Sequence, residues 1–269
     1  MKKILCITIP RSGHCLLLNL LLKYFSGNMK YPEIQGLNTP IMCKETLSAG
    51  DLHYCEYYNH CRKIPCIDPH TNFQKNHDYD LSLENNPNYN YIIQFRHPVE
   101  VFISWYKFRI KYDKKFLDLK TQDIKENWIK FIGLQSSISL KNLFHKWNQR
   151  QFFHQQSRKI KSGEPSNKLL YWKNFVYKWI INNPNPNTYY LSYYDLIKDP
   201  IGKLKDIITL INPEKTPNIR LIHEVVKQQN INYLSTITNF KHWDKNLFKR
   251  IEREVSKELK ILHFKDILS

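Results

Sequence analysis

The chain has 269 residues, 42% hydrophobic and 14% aromatic, which is ample for a packed core and excludes an intrinsically disordered polymer. Its formal net charge is +17, so its expected partners are anions: nucleotides, sulfated or phosphorylated glycans, nucleic acid or an acidic membrane surface. Lys and Arg are spread along the chain rather than gathered in a tail, which argues against a basic nucleic-acid arm.

Met1-Lys2-Lys3 and the apolar stretch after it resemble a secretory n-region, but Pro10 to Gly13 and then Asn19 interrupt the run and no small-residue cleavage site follows. No run of about 18 apolar residues occurs, so a membrane-spanning helix is not expected and a cytoplasmic protein is the default. Residues 4–9 read as a short buried strand and residues 13–25 as a leucine-rich helix. Residues 26–90 read as irregular, with turn signals at Gly27-Asn28, Pro40, Gly50-Asp51 and Asn85-Asn86-Pro87. "YIIQF" at 91–95 is a second strand, and Pro98 opens a helix over 98–112. Residues 121–161 read as helical, with Trp128, Phe131, Leu143, Phe144 and Trp147 as core candidates. After a break at 162–167, helix resumes over 168–181, and "NNPNPN" stops it. A third strand covers 188–194, and a helix follows over 199–211. A last helix spans about 244–262, where Leu247, Ile251, Val255 and Leu259 mark a buried face. Strands alternating with helices imply a single α/β domain with a central, mostly parallel sheet.

Four of the six cysteines, Cys43, Cys55, Cys61 and Cys66, lie close together with His53 and His60 nearby. Their spacings lack the CxxC pairs of common structural zinc sites, so free thiols in a reducing compartment are the simpler reading, with zinc and a disulfide as alternatives.

The turn Pro10-Arg11-Ser12-Gly13 joins the first strand to the first helix. In a parallel sheet that junction lies at the carboxyl edge, where ligands bind, and it opens a helix whose first N–H groups favour an anion. Gly13 lets a phosphate approach the backbone, and Arg11 adds a permanent charge with forked donors. The stretch lacks the Lys-Ser/Thr ending of a Walker A loop and the three glycines of a dinucleotide fingerprint. A second strand–turn–helix carries Arg96, with Ser104 about two helical turns on, a pairing suited to a second phosphate.

With these two segments the chain resembles the PAPS-dependent sulfotransferases. Pro10-Arg11-Ser12-Gly13-His14-Cys15 is similar to the loop that holds the 5′-phosphosulfate in that family. Arg96-His97-Pro98, with Ser104 and Tyr106, resembles its 3′-phosphate segment. "YYDLIKDP" resembles a later family segment whose tyrosine, here Tyr193, lies near the adenine; Asp195 and Pro200 complete the match. "FKHWDKNLFKRIEREV" resembles the family's basic tail, with Lys241 and Trp243 matching. The resemblance implies a P-loop-like α/β fold, PAPS as co-substrate and PAP as product, and no metal. The family's Thr-Thr after the glycine is His14-Cys15 here, its following aromatic is Leu16, and its "RKG…GDW" loop is missing.

Sulfuryl transfer is an in-line displacement that needs a base for the acceptor proton and cations for the leaving group. Arg11 is expected to stabilise the developing charge. "NFQKNHDYD" resembles the family's K-x-H segment, so His77 is the expected base and Lys75 is expected to help stabilise the transferring group. Glu45, Asp78, Asp80 and His14 are competing bases. The acceptor pocket is expected from residues 26–72 and 107–187, whose Tyr, Trp, Phe, Lys and Arg suit a sugar, an acidic polysaccharide or an aromatic small molecule. The alternatives are a non-catalytic anion or nucleotide binder and a P-loop-like nucleotide kinase; the kinase would need a Walker lysine and a magnesium-binding carboxylate.

Overall fold

The computed structural model describes residues 3–26, 73–112, 132, 165, 167–229, 231 and 245–264. The chain forms two compact units whose segments alternate along the sequence.

The first unit is built on a sheet. Strands β1 (Ile4–Thr8), β2 (Phe73–Asn76), β3 (Asn90–Phe95) and β4 (Thr188–Ser192) lie in the order β2-β1-β3-β4, and every pairing is parallel. The expected α/β class with a parallel sheet is what the structure has. Helix α1 (His14–Ser26) follows β1 after the short turn. Residues alternate between faces along a strand, so Ile4 and Cys6 share a face with their neighbours Phe73 and Ile92. That face packs with Leu191 of β4 and with Leu17, Leu18, Leu20 and Leu21 of α1. Helices α4 (Tyr193–Lys198), α5 (Pro200–Ile211) and α6 (Ile219–Gln228) close the same core, contributing Leu196, Leu204, Ile207 and Ile222 among others. The Asp-Pro pair of "IKDP" is a helix start: Asp199 caps α5 by accepting from the Gly202 N–H at 2.9 Å, and Pro200 takes the first helical turn.

Two of these elements depart from the sequence reading. Residues 26–90 are not irregular throughout, because Phe73–Asn76 is a paired edge strand. Its "FQKN" carries little apolar signal, and the parallel pairing to β1 supplies what local preference does not. Helix α6 was not expected either, although Asn218 caps it by accepting from the Leu221 N–H.

The second unit is helical. It holds α2 (Pro98–Tyr112), α3 (Lys168–Val176) with a π-helical turn at Tyr177–Ile181, α7 (Lys245–Glu254) and α8 (Ser256–Ile261). Trp105, Tyr171 and Phe175 are buried and stand in tilted or edge-on ring contacts with one another or with Tyr79. The expected last helix is two helices broken at Val255. Ile251, Val255 and Leu259 are buried as expected, but Phe248 takes the deep position that the pattern gave to the half-buried Leu247. The Lys173 ammonium donates to the Glu254 carbonyl at 3.1 Å, which satisfies one carbonyl at the break. The core candidates between 121 and 161 lie outside the described residues.

Candidate functional site

The turn after β1 is tightly held. The Ile9 N–H donates to the Gln94 carbonyl at 3.0 Å, and the Ser12 N–H donates back to the Ile9 carbonyl at 3.2 Å. Pro10 and Arg11 are therefore the corner residues, and Arg11 has a φ of 65°. Proline followed by a left-handed residue is the pattern of a type II turn, whose second corner ordinarily takes glycine. An arginine there costs about 1–2 kcal/mol of backbone strain. Such strain at a strand end is a recurrent feature of binding loops. Gly13 is also left-handed, at 89°, and its carbonyl accepts the first helical bond, from the Leu17 N–H. A Cβ on Gly13 would lie 2.8 Å from Cε2 of Tyr193 and nearer still to Cδ2, so this position requires glycine on both counts. The first turn of α1 has no acidic residue to occupy its N–H groups.

The sheet face beneath that helix start changes from apolar to polar at its carboxyl edge. The register pairs Cys6 with Lys75 and Thr8 with Gln94, and one further step along β2 brings His77 beside Thr8. His77 Nδ1 lies 2.7 Å from the Thr8 carbonyl oxygen and 3.0 Å from Thr8 Oγ1. A carbonyl only accepts, so Nδ1–H is the donor and the lone pair stands on Nε2. Burial first, then the nearby Lys75, His14 and Arg11, hold the His77 imidazole well below its usual range, against an opposing effect of the Thr8 carbonyl. His77 is thus neutral at pH 7, with its proton on Nδ1. His14 packs edge-on to it, with ring centroids 5.0 Å apart. Burial and the charges of Lys75 and Arg11 push His14 down to about 3. Burial also lowers the Lys75 ammonium, with the Cys15 and Cys6 thiols opposing it, while the Cys6 thiol is pushed up to about 12 by burial. Lys75 and Arg11, both basic, act electrostatically on the two histidines.

Three side chains around the turn have buried polar atoms with no hydrogen-bond partner: Ser12 Oγ, His14 Nδ1, and both Oε1 and Nε2 of Gln94. Leaving a buried polar group unmet costs about 1–3 kcal/mol. Gln94 was not singled out in the sequence; its one signal is a lone amide inside the apolar strand "YIIQF". Tyr193 opens α4, whose cap is the Ser192 hydroxyl accepting from the Tyr194 N–H, and its ring lies against Gly13. Cys15 is exposed on the first turn of α1.

The second unit holds the other expected residues. Arg96 is buried, and its Nε donates to Glu100 Oε2 at 2.8 Å across one helical turn. The Arg96 carbonyl accepts from Trp172 Nε1 at 3.1 Å. His97 is buried 3.7 Å from Glu252 and packs on the Phe264 ring. Burial pushes it down to about 4; Glu100 opposes that and Arg96 adds to it. Ser104 is half-buried on α2, and burial pushes the nearby Tyr106 phenol up to about 12.

The two carboxylates suggested as bases differ in surroundings. Asp78 is buried and its Oδ2 accepts from Lys178 Nζ at 2.7 Å and from Trp179 Nε1 at 2.8 Å, which is a structural clamp on the π-helical turn. Asp80 is half-buried, and its Oδ1 accepts from the Ser82 N–H. Glu45, Lys241, Trp243, and Cys43, Cys55, Cys61 and Cys66 lie outside the described residues. Among the described residues no His, Cys, Asp and Glu side chains group as a metal site, and no helix is long and apolar enough to cross a membrane.

No family model matches the chain, and no curated protein matches it. Among solved structures, it is similar to a crystal structure of a sulfotransferase from Alicyclobacillus acidocaldarius, at 10% identity and a TM-score of 0.41, over 98% of this chain and 97% of that one. A likeness of that size is no ground for function, which is left to the residues themselves.

Proposed function

We propose that the chain is a sulfotransferase that carries a sulfuryl group from PAPS to a hydroxyl or amine of a sugar, polysaccharide or small-molecule acceptor. One observation carries the reading. A strained Arg-Ser-Gly turn with unmet buried polar groups opens a helix beside a neutral histidine whose lone pair is on Nε2. An oxyanion answers those groups, and Arg11 and Lys75 offset its charge. The resemblance in motif order makes the 5′-phosphosulfate of PAPS that oxyanion.

In the proposed reaction the acceptor oxygen or nitrogen attacks sulfur as its proton passes to His77 Nε2. The bond from sulfur to the bridging oxygen breaks in line, and PAP leaves with the electron pair. Arg11, Lys75 and the N–H groups of the α1 start stabilise the negative charge that grows on that oxygen. Ser12, Gly13, His14 and Cys15 hold the 5′ end through the loop. Arg96 and Ser104 are assigned the 3′-phosphate, with Glu100 orienting the guanidinium, and Tyr193, Lys241 and Trp243 complete the nucleotide contacts. Asp78 is the weakest candidate base, since Lys178 and Trp179 already use its carboxylate.

The test is PAP release from PAPS with a panel of phenols, amines and sugars, checked by the mass gain of one sulfuryl group on the acceptor. The proposal expects turnover in wild type and its loss in His77→Ala. PAP binding without turnover on any acceptor would leave a nucleotide-binding protein and overturn the enzyme reading.

A further inference from the structure

Gln94 is a fully buried side chain near the end of β3, after the apolar Ile92 and Ile93, and neither its amide oxygen nor its amide nitrogen has a hydrogen-bond partner. The register places it opposite Thr8, on the sheet face beneath the start of α1. Its Nε2 is 3.4 Å from the point that a Cβ on Gly13 would occupy. Ser12 Oγ, also fully buried, and His14 Nδ1 are unmet around the same glycine. Hydrocarbon would fill the Gln94 position at no such cost, as Ile92 does one step back on the same face. Its place at a helix start, beside two other unmet polar groups, makes sense if a guest completes them all.

We infer that Gln94 is an anion-binding residue of this chain, donating its Nε2–H to an oxygen of the tetrahedral group seated on the Arg11–Gly13 turn. The donors meeting that group are then of two kinds. Arg11 and Lys75 supply charge, while Gln94, Ser12 and His14 supply uncharged, directional donors. Uncharged donors bind an oxyanion by geometry and do not require a full second negative charge. The identity of the ligand rests on the sulfotransferase reading; the role of Gln94 as an oxyanion donor does not.

The role has an unusual signature, because the free protein carries the unmet amide and the bound one does not. Replacing Gln94 with an apolar side chain should stabilise the ligand-free protein and weaken the complex. A glutamine with no part in binding would leave PAP affinity unchanged. The experiment is thermal unfolding of wild type, Gln94→Leu and Gln94→Met, each alone and with PAP, with inorganic sulfate and with pyrophosphate, together with a binding titration of PAP. The expected result is a ligand-free midpoint raised by roughly 2–4 °C in the better-packed variant. PAP affinity should fall about tenfold or more in both variants, with the sulfate-induced shift lost alongside. Two variants of different shape keep a packing fault in one from deciding the matter. Wild-type affinity in both variants would overturn the inference and leave the sulfotransferase reading standing. Stabilisation of wild type by sulfate or pyrophosphate but not by PAP, lost in both variants, would support Gln94 as a donor and sink the PAPS reading. No stabilisation of wild type by any of the three anions would overturn the seat itself.

Discussion

Two corners of this molecule look alike in sequence, and their arginines have different surroundings. Each is a buried strand, an arginine and a helix: β1 to α1 through Arg11, and β3 to α2 through Arg96. At the second corner the arginine meets Glu100 at 2.8 Å, its carbonyl receives the Trp172 indole, and His97 faces Glu252. At the first, a strained arginine stands among basic side chains, over unmet amide, hydroxyl and imidazole atoms. Arg96 is paired by a carboxylate of its own helix, whereas the turn at Arg11 is the proposed seat of an oxyanion. An arginine after a strand therefore says little until its surroundings are known.

The comparison can be broken at several points, beginning with the largest effect. His77→Ala should cut sulfuryl transfer by roughly 10²–10⁴-fold, with PAP affinity within a few fold of wild type, as read by steady-state rates and a binding titration. An unchanged rate would move the base elsewhere. At the self-neutralised corner, Glu100→Ala leaves a buried guanidinium without its carboxylate and should cost on the order of 3 kcal/mol in urea unfolding. Arg11→Ala should change stability by only about 1 kcal/mol, since relief of strain offsets lost contacts. Equal destabilisation by the two would erase the contrast. Gly13→Ala should cost about 2 kcal/mol and abolish PAP binding, because the methyl meets the Tyr193 ring at a left-handed position.

A last prediction concerns pH. The folded-state values of His14, His77 and His97 lie below the unfolded value of 6.5. Between those values the unfolded chain binds more protons, so stability rises with pH there. It should be flat above pH 6.5 and fall below it, by up to about 1.4 kcal/mol per pH unit for each histidine. Urea midpoints at pH 7.5, 6.5 and 5 check this, and His97→Gln should make the decline shallower. A midpoint unchanged between pH 6.5 and 5 would show that these imidazoles are not held neutral.

The parallel sheet and the β1–α1 junction were legible because short charge-free runs, a proline and a glycine mark them directly. Arg11, Gly13 and His77 stand out in the sequence as residue types at motif spacing, and their role is the proposal made above. Strand β2 was hidden, since "FQKN" becomes a strand only through its neighbour β1. The break at Val255 was hidden because the apolar period runs through it undisturbed. Gln94 was hidden by its setting: a single amide in an apolar strand reads as noise until the helix start is seen above it. Asp78 is a candidate base by residue type, and nothing in the sequence signals that Lys178 and Trp179 share its carboxylate.

The central claim is that the Arg11–Gly13 turn seats the 5′ end of PAPS. A calorimetric titration of wild type and Arg11→Ala with PAP, with 5′-AMP as the control lacking the 3′-phosphate, tests it most directly. The account predicts that PAP binds wild type, that AMP binds it at least tenfold more weakly, and that Arg11→Ala weakens both ligands by a similar factor. No heat with PAP near a millimolar, or equal PAP affinity in wild type and Arg11→Ala, would contradict it.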